Sequence, residues 1–274
     1  MNGKELAKAL RKGQRVYGTL VTSGAPAWVE VIKSLNLDYV FIDTEHVSLD
    51  REKVAWMCQA YKALGVAPIV RIPEPDPYLA CMVIDGGASG VIAPYVESAE
   101  EVKKLYGAVK LRPLKGGKLR RVLDGEEQLG HELSDYLAER NSNNVLIVNI
   151  ESTPAIASLN EILASPGLDA VLIGPHDLSC SLEIPEKFDD PLFEAEVECI
   201  IKMARKKGIG AGAHAYYVRE GTVAQEHHWA LKGANLIMHG ADITAFKARM
   251  SEDLSSLRTL LGDLKTGKNA EIAI

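Results

Sequence analysis

Four short stretches of the chain carry side chains that could do acid–base or metal chemistry. They are Asp43-Thr44-Glu45-His46, the Arg71 of Val-Arg-Ile-Pro, Glu151, and Gly174-Pro175-His176-Asp177. Each adjoins or interrupts an apolar run, where a charge is costly unless something uses it. His46 is the natural proton shuttle, with Asp43 or Asp85 available to orient it and raise its basicity. Glu151 and Asp177 offer hard oxygen donors. Mg²⁺ and Mn²⁺ often take one or two such carboxylates and fill their other positions with water and substrate. The alternative for this pair is capping, Glu151 for the helical segment Ser152–Leu163 and Asp177 for the turn at Leu178. Arg71 requires an anionic partner, either a substrate carboxylate or enolate oxygen or a neighbouring Asp or Glu. His214 and His239 also fall near strand ends and could line the same mouth. Adjacent His227 and His228 diverge on a helix and read as surface.

Bringing these stretches together requires a fold that delivers several strand ends to one rim. Short β-branched runs alternate with segments of helical periodicity along the chain, the pattern of βαβ units and a parallel sheet. Eight strands are expected at Val16–Val21, Tyr39–Asp43, Ala67–Ile72, Gly90–Ala93, Val145–Ile150, Ala170–Ile173, Ile209–Ala213 and Asn235–Met238. "YVFID", "PIVRI", "LIVNI" and "AVLIG" are continuously apolar apart from their site residues, as buried parallel strands should be. Pro26 can start the first intervening helix, Ser48 precedes the second, and Ser98-Ala99-Glu100-Glu101 is a capping-box pattern ahead of the fourth. Eight strands with interleaved helices favour a closed (β/α)8 barrel in a single domain spanning residues 1–274, whose active site lies at the C-terminal ends of the strands. No Gly-x-Gly-x-x-Gly follows the first strand, which argues against a dinucleotide fold.

With 274 residues, a net charge of −6 and 47% hydrophobic composition, the chain is globular and has no global field to attract nucleic acid or anionic membrane. The N-terminal stretch is interrupted by Lys4, Glu5, Lys8 and Arg11, which excludes a signal peptide, and no apolar run is long enough to span a bilayer. A cytoplasmic protein is expected. Cys58, Cys81, Cys180 and Cys199 are widely spaced and read as reduced packing residues. Residues 112–144 are too long for a plain connection and read as an insertion, a loop plus a short helix near Glu132–Arg140. The segment Lys110–Arg121, which leads into it, holds Lys110, Arg112, Lys115, Lys118, Arg120 and Arg121 without an acid. That run reads first as a solvated loop or subunit contact, and alternatively as a grip on an anionic acceptor. The tail from Gly262 reads as frayed.

Taken in order, "IDTEH" (Ile42–His46), "PIVRIP" (Pro68–Pro73), "VIDGGASGVIAPYVESAEE" (Val83–Glu101), "NIES" (Asn149–Ser152) and "VLIGPHDLS" (Val171–Ser179) resemble the HpcH/HpaI aldolase family. These are class II pyruvate aldolases such as 4-hydroxy-2-oxoheptanedioate aldolase and 2-dehydro-3-deoxyglucarate aldolase. The resemblance runs from about Val16 to Ala245. It implies metal-dependent aldol cleavage of a 4-hydroxy-2-oxo acid to pyruvate and an aldehyde, with Mg²⁺, Mn²⁺ or Co²⁺ as cofactor. It implies Glu151 and Asp177 as metal ligands and His46 as general acid/base. Arg71 would hold the pyruvate oxygens, and Asp85 would increase the basicity of the histidine. Asn149 and His176 match substrate-contact positions that are usually Gln and Ala in the family. The resemblance also implies a homohexamer, a trimer of dimers that exchange their last helix. After Lys110 many members read Tyr-Pro-Pro-x-Gly-x-Arg-Gly, and this chain departs with "LRPLKGGKLRR". No lysine stands in a motif position, which argues against a Schiff base. Two other readings remain open. One is a citrate-synthase-like or acyl-CoA lyase on the same barrel, and the other is a non-catalytic oxo-acid-binding protein.

Overall fold

A computed structural model describes residues 1–215 and 221–263. The chain opens with helix α1 (Gly3–Arg11) and strand β1 (Val16–Val21), followed by α2 (Ala27–Ser34), β2 (Tyr39–Asp43), α3 (Arg51–Ala63), β3 (Ala67–Arg71), α4 (Pro77–Asp85) and β4 (Gly90–Ala93). Then come α5 (Ala99–Lys110), α6 (Gly116–Leu123), α7 (His131–Arg140), β5 (Val145–Ile150), α8 (Thr153–Ala157), α9 (Leu159–Ile162) and β6 (Ala170–Ile173). The last elements are α10 (Pro175–Ser181), α11 (Pro191–Lys206), β7 (Gly210–Ala215), α12 (Thr222–Leu231), β8 (Leu236–Ala241) and α13 (Asp242–Leu261). The eight strands close in sequence order into a parallel barrel, the single-domain (β/α)8 fold expected from the alternation.

Strand parity divides the apolar side chains into two cores. Phe41, Ile69, Ile92, Ile147 and Leu172 fill the barrel interior with Leu20, Tyr39 and Met238. Their sequence neighbours Val40, Ile42, Val70, Val91, Val148, Val171 and Ile173 pack outward under the helices. The N-terminal stretch, expected only to lack signal-peptide character, is a helix. Asn2 and Glu5 cap it reciprocally, and its Leu6 and Leu10 join the interior core, closing the end of the barrel opposite the site.

Several local signals act as their chemistry requires. Ser98 and Glu101 complete a capping box on α5. Pro26 stands at the N-cap of α2, whereas Asp50 rather than Ser48 caps α3. The insertion holds one helix more than expected, α6, whose Gly116-Gly117 start and basic composition hide its periodicity. Strands β7 and β8 run past their expected ends to Ala215 and Ala241. Of the cysteines only Cys58 is buried; Cys81 is half-buried, and Cys180 and Cys199 are exposed, so those two are surface residues on helices rather than packing residues. Among the described residues no helix is long and apolar enough to cross a membrane. The tail beyond Asp263 lies outside the described residues.

Candidate active site

The parity that sends Phe41 and Ile69 into the barrel sends Asp43 and Arg71, two residues on, to the same interior face at its mouth. Asp43 and Arg71 are direct partners in the β2–β3 register. Arg71 grips Asp43 with two hydrogen bonds, Nε to Oδ1 at 2.9 Å and Nη2 to Oδ2 at 2.7 Å. Burial works to raise the Asp43 pKa, but the guanidinium outweighs it and holds the carboxyl below its ordinary value. Both oxygens of Asp43 serve Arg71, and Oδ1 also accepts from the Glu45 amide at 3.0 Å. The carboxylate beside His46 is Glu45, whose Oε1 lies 3.5 Å from His46 Nε2 and whose Oε2 lies 3.1 Å from Arg71 Nε. Glu45 shares the parity of Asp43, and that is the sequence signal for it.

Glu151 follows β5 on the interior side and is buried. Its Oε1 accepts from the backbone N–H of Tyr95 at 2.8 Å, and its Oε2 accepts from Asn149 Nδ2 at 2.9 Å. Ser152, not Glu151, caps α8. Gly174 stands at the N-cap of α10 with Asp177 in the first turn, so neither acid is spent on capping. A Cβ on Gly174 would sit 2.7 Å from Glu151 Oε2 and 3.3 Å from Asp177 Oδ2. The two carboxylates thus border one small space that only glycine leaves open. Burial, then the proximity of Asp177, raises Glu151 from 4.5 to about 6. Two carboxylates bordering one point, hard oxygen donors on a half-open site, fit a divalent cation such as Mg²⁺ or Mn²⁺. Among the described residues no group of three or more His, Cys, Asp or Glu side chains gathers around a point. The Oδ1 of Asn149 is buried without a hydrogen-bond partner, a second sign that a ligand completes this pocket.

The remaining expected residues divide. His176 begins α10 beside Asp177, 3.9 Å from its Oδ1, and is exposed at the rim. His214 lies inside β7, its ring 5.2 Å from Phe41, and Arg71 lies over the same Phe41 ring with Cζ 5.2 Å from its centroid. Desolvation, helped by the Arg71 charge, pushes His214 down to about 3, so it is neutral. His239 does not line the mouth: parity turns it outward, where Nδ1 meets Glu226 at 2.8 Å. Asp85 lies apart from the other site residues within its own chain. It ends α4, the helix leading into the bottom of β4, and is exposed and paired with Arg112. Within one chain it stands at the opposite end of the barrel from His46.

The basic run is at that opposite end too, because it follows α5. Lys110 reaches the buried Asp169 at 2.6 Å, and Lys118 and Arg121 share Glu127. These are structural contacts, and the run does not reach the acceptor side of its own barrel. The residue that sequence reasoning missed is Tyr95. It stands just beyond the end of β4, and that strand-end position is the signal that marks it.

The comparisons with known proteins agree with this geometry. A family model described as HpcH/HpaI aldolase/citrate lyase matches residues 17–247. A hydroxypyruvate/pyruvate aldolase from Roseovarius nubinhibens is 29% identical over 92% of this chain and 95% of its own length. A 2-keto-3-deoxy-L-rhamnonate aldolase from Escherichia coli K12 is 28% identical over 95% of this chain and 92% of its own. Among solved structures, an HpcH/HpaI aldolase from Desulfitobacterium hafniense superposes with a TM-score of 0.77 at 26% identity, covering 92% of this chain and 96% of that one. The citrate synthase SbnG superposes at 0.76 with 27% identity, covering 93% and 97%. A closed parallel barrel, acids and an arginine gathered at its C-terminal rim, and a family match over most of the length lead to one conclusion: the chain belongs to the HpcH/HpaI aldolase/citrate lyase family and is a carbon–carbon lyase.

Proposed function

We propose that this enzyme is a divalent-metal-dependent class II aldolase that reversibly cleaves a 4-hydroxy-2-oxo acid into pyruvate and an aldehyde. The observation that carries the reading is the convergence of Glu151 and Asp177 on the space beside Gly174, at the rim that also holds Arg71 and His46. Glu151 and Asp177 would hold the metal, which when bound supplies Lewis acidity toward the adjacent keto and carboxylate oxygens of the oxo acid. Asn149 and the Tyr95 amide keep Glu151 in place. Arg71 has Nε and Nη2 committed to Asp43, and its Nη1 hydrogens are left to meet negative charge as it develops on the keto oxygen. His46, beside Glu45, moves the proton between the aldol hydroxyl and water. His176 and Asp177 contact the oxo acid from α10.

The names of the two aldolase relatives support an oxo-acid donor. The likeness to citrate synthase SbnG supports a second reading, carbon–carbon bond formation between the same kind of enolate and a different electrophile. The protein incubated with pyruvate in D₂O, with Mg²⁺, Mn²⁺ or Co²⁺, should exchange the methyl protons, and an aldehyde should then yield a 4-hydroxy-2-oxo acid. Absence of exchange with every metal would overturn the reading; exchange without aldehyde addition would favour the second one.

For assembly we propose a homo-oligomer, a hexamer built as a trimer of dimers through exchange of the last helix. On α13, Ile243, Phe246, Met250, Leu254, Leu257 and Leu261 recur at three- and four-residue spacing and are exposed on the single chain. An apolar stripe of this length is the kind of surface that a second copy covers.

A further inference from the structure

We infer that Phe41 is a positioning residue for Arg71: its ring, braced by His214 from a non-adjacent strand, fixes the plane of the guanidinium that faces the oxo acid. This rests on the aldol reading above and names what holds the residue that meets the developing enolate charge.

Hydrogen bonds fix a guanidinium only in its own plane. Asp43 takes Nε and Nη2 of Arg71 at 2.9 and 2.7 Å, and Glu45 stands 3.1 Å from Nε. These carboxylates hold the edge of the group, whose faces carry no hydrogen to donate. Tilt about the line to Asp43 is left to whatever packs against a face. Arg71 Cζ lies over the Phe41 ring, 5.2 Å from its centroid. Both side chains are buried, so the attraction between the cation and the negative ring face acts with little water to weaken it. An aliphatic side chain would cover the same face without that attraction. The register partners of Phe41 on the two adjoining strands, Leu20 and Ile69, are both aliphatic. Among the described residues of the interior core the other aromatic is Tyr39, two residues further from the mouth, and its hydroxyl donates to the Ile237 carbonyl at 2.9 Å.

The ring is itself held. The inward-facing positions of β7 are Gly210, Gly212 and His214, so His214 is the one side chain larger than hydrogen that this strand sends to the interior. Its ring centroid lies 5.2 Å from that of Phe41, with the planes tilted by 46°. That separation is within the range where aromatic rings attract. Strands β2 and β7 are not neighbours in the closed sheet, so the contact crosses the interior. Burial keeps the imidazole neutral, and it brings no charge to compete with Arg71.

Replacing Phe41 with mono-, di- and trifluorophenylalanine keeps the shape of the ring while draining its negative face. The kcat of pyruvate methyl exchange in D₂O, measured with the divalent metal that supports it best, should fall stepwise along that series. Phe41→Leu should lower kcat about 5- to 30-fold, the scale of a desolvated cation–π contact, with KM changed less. His214→Ala should lower it about 2- to 10-fold. It should add little to Phe41→Leu, because it acts through that ring. In the metal-free protein the Arg71 Nε–H resonance should shift in Phe41→Leu as the ring current is lost. A kcat indifferent to fluorination, with native thermal unfolding, overturns the inference, as does an unmoved Arg71 resonance. Strict additivity of Phe41→Leu and His214→Ala overturns the bracing. If Phe41→Leu does not fold, the fluorinated series decides. If the native enzyme exchanges no methyl protons with any metal, the aldol reading has failed, while the Arg71 resonance still reports whether Phe41 holds the guanidinium. Native exchange with a flat fluorination series refutes Phe41 alone.

Discussion

A guanidinium can be buried at the end of β3 only because Asp43 accepts two of its hydrogen bonds and Glu45 brings a second carboxylate to its Nε. Asp43→Asn should therefore destabilise the fold by about 3 kcal/mol, the scale for breaking a buried pair. It should also slow pyruvate methyl exchange by about 10²-fold, because Arg71 loses its fixed aim at the developing charge. Urea unfolding and NMR exchange measure the two effects, and native stability in the variant would show that Asp43 does not hold Arg71. Glu151→Gln should weaken divalent-metal binding by more than the ~10–100-fold typical of residues behind the ligands; calorimetric titration decides it. The acid also sets a pH window. Folded Glu151 titrates near 6 against an ordinary 4.5, so the folded state holds the proton more tightly. Its contribution to metal-free stability is fully present below 4.5 and is lost as pH rises through 6, a change of roughly 2 kcal/mol. Metal affinity runs the opposite way, falling toward tenfold per pH unit below about 6, because the cation must displace that proton. A flat affinity between pH 5 and 7 would remove Glu151 from the ligand set.

At the scale of elements, the two ends of the barrel do different work. The C-terminal ends of β2 and β5 and the start of α10 carry the acids, the end of β3 carries Arg71, and the turn after β4 props Glu151. The other end is held by Asp169, fully buried before β6. It accepts from Arg11 at the end of α1, Lys110 at the end of α5 and the Leu146 amide of β5. Asp169→Asn would leave two cations facing a neutral amide and should cost about 3 kcal/mol. The rate of pyruvate exchange per folded molecule should stay native, since the change is remote from the mouth. A loss of rate without a loss of stability would contradict this division. The same division explains the departure after Lys110: a segment that follows a helix meets the stability end, whatever its charge.

The whole molecule leaves one surface unexplained by a single chain. Helix α13 meets its own barrel chiefly at β1 and β8, where Asp242 accepts from the backbone and side chain of Thr22 and from Ser23. Beyond that anchor its apolar stripe faces outward. On the proposed helix exchange, replacing both Phe246 and Leu257 with Asp should lower the mass seen in light scattering without unfolding the barrel, because neither side chain belongs to a core. An unchanged mass would overturn the proposed exchange of this helix.

Apolar parallel strands and their spacing determined the barrel at the level of sequence, because continuous burial leaves a signature that no neighbour needs to complete. The strand-end rule likewise made His46, Arg71, Glu151 and Asp177 legible before any coordinates. Partnership was not legible, since which acid meets which base depends on register and on the side of the sheet. Register assigned Asp43 to Arg71, parity placed Glu45 beside Arg71 as well, and the helix-before-strand position of Asp85 put it at the far end of its own barrel with Arg112. Tyr95 was hidden for a further reason: its place in the site depends on a left-handed backbone, and a tyrosine in the sequence does not announce one. The strands were written in the residues, while the pairing of charges at the mouth was settled only when the closed sheet brought distant strand ends side by side.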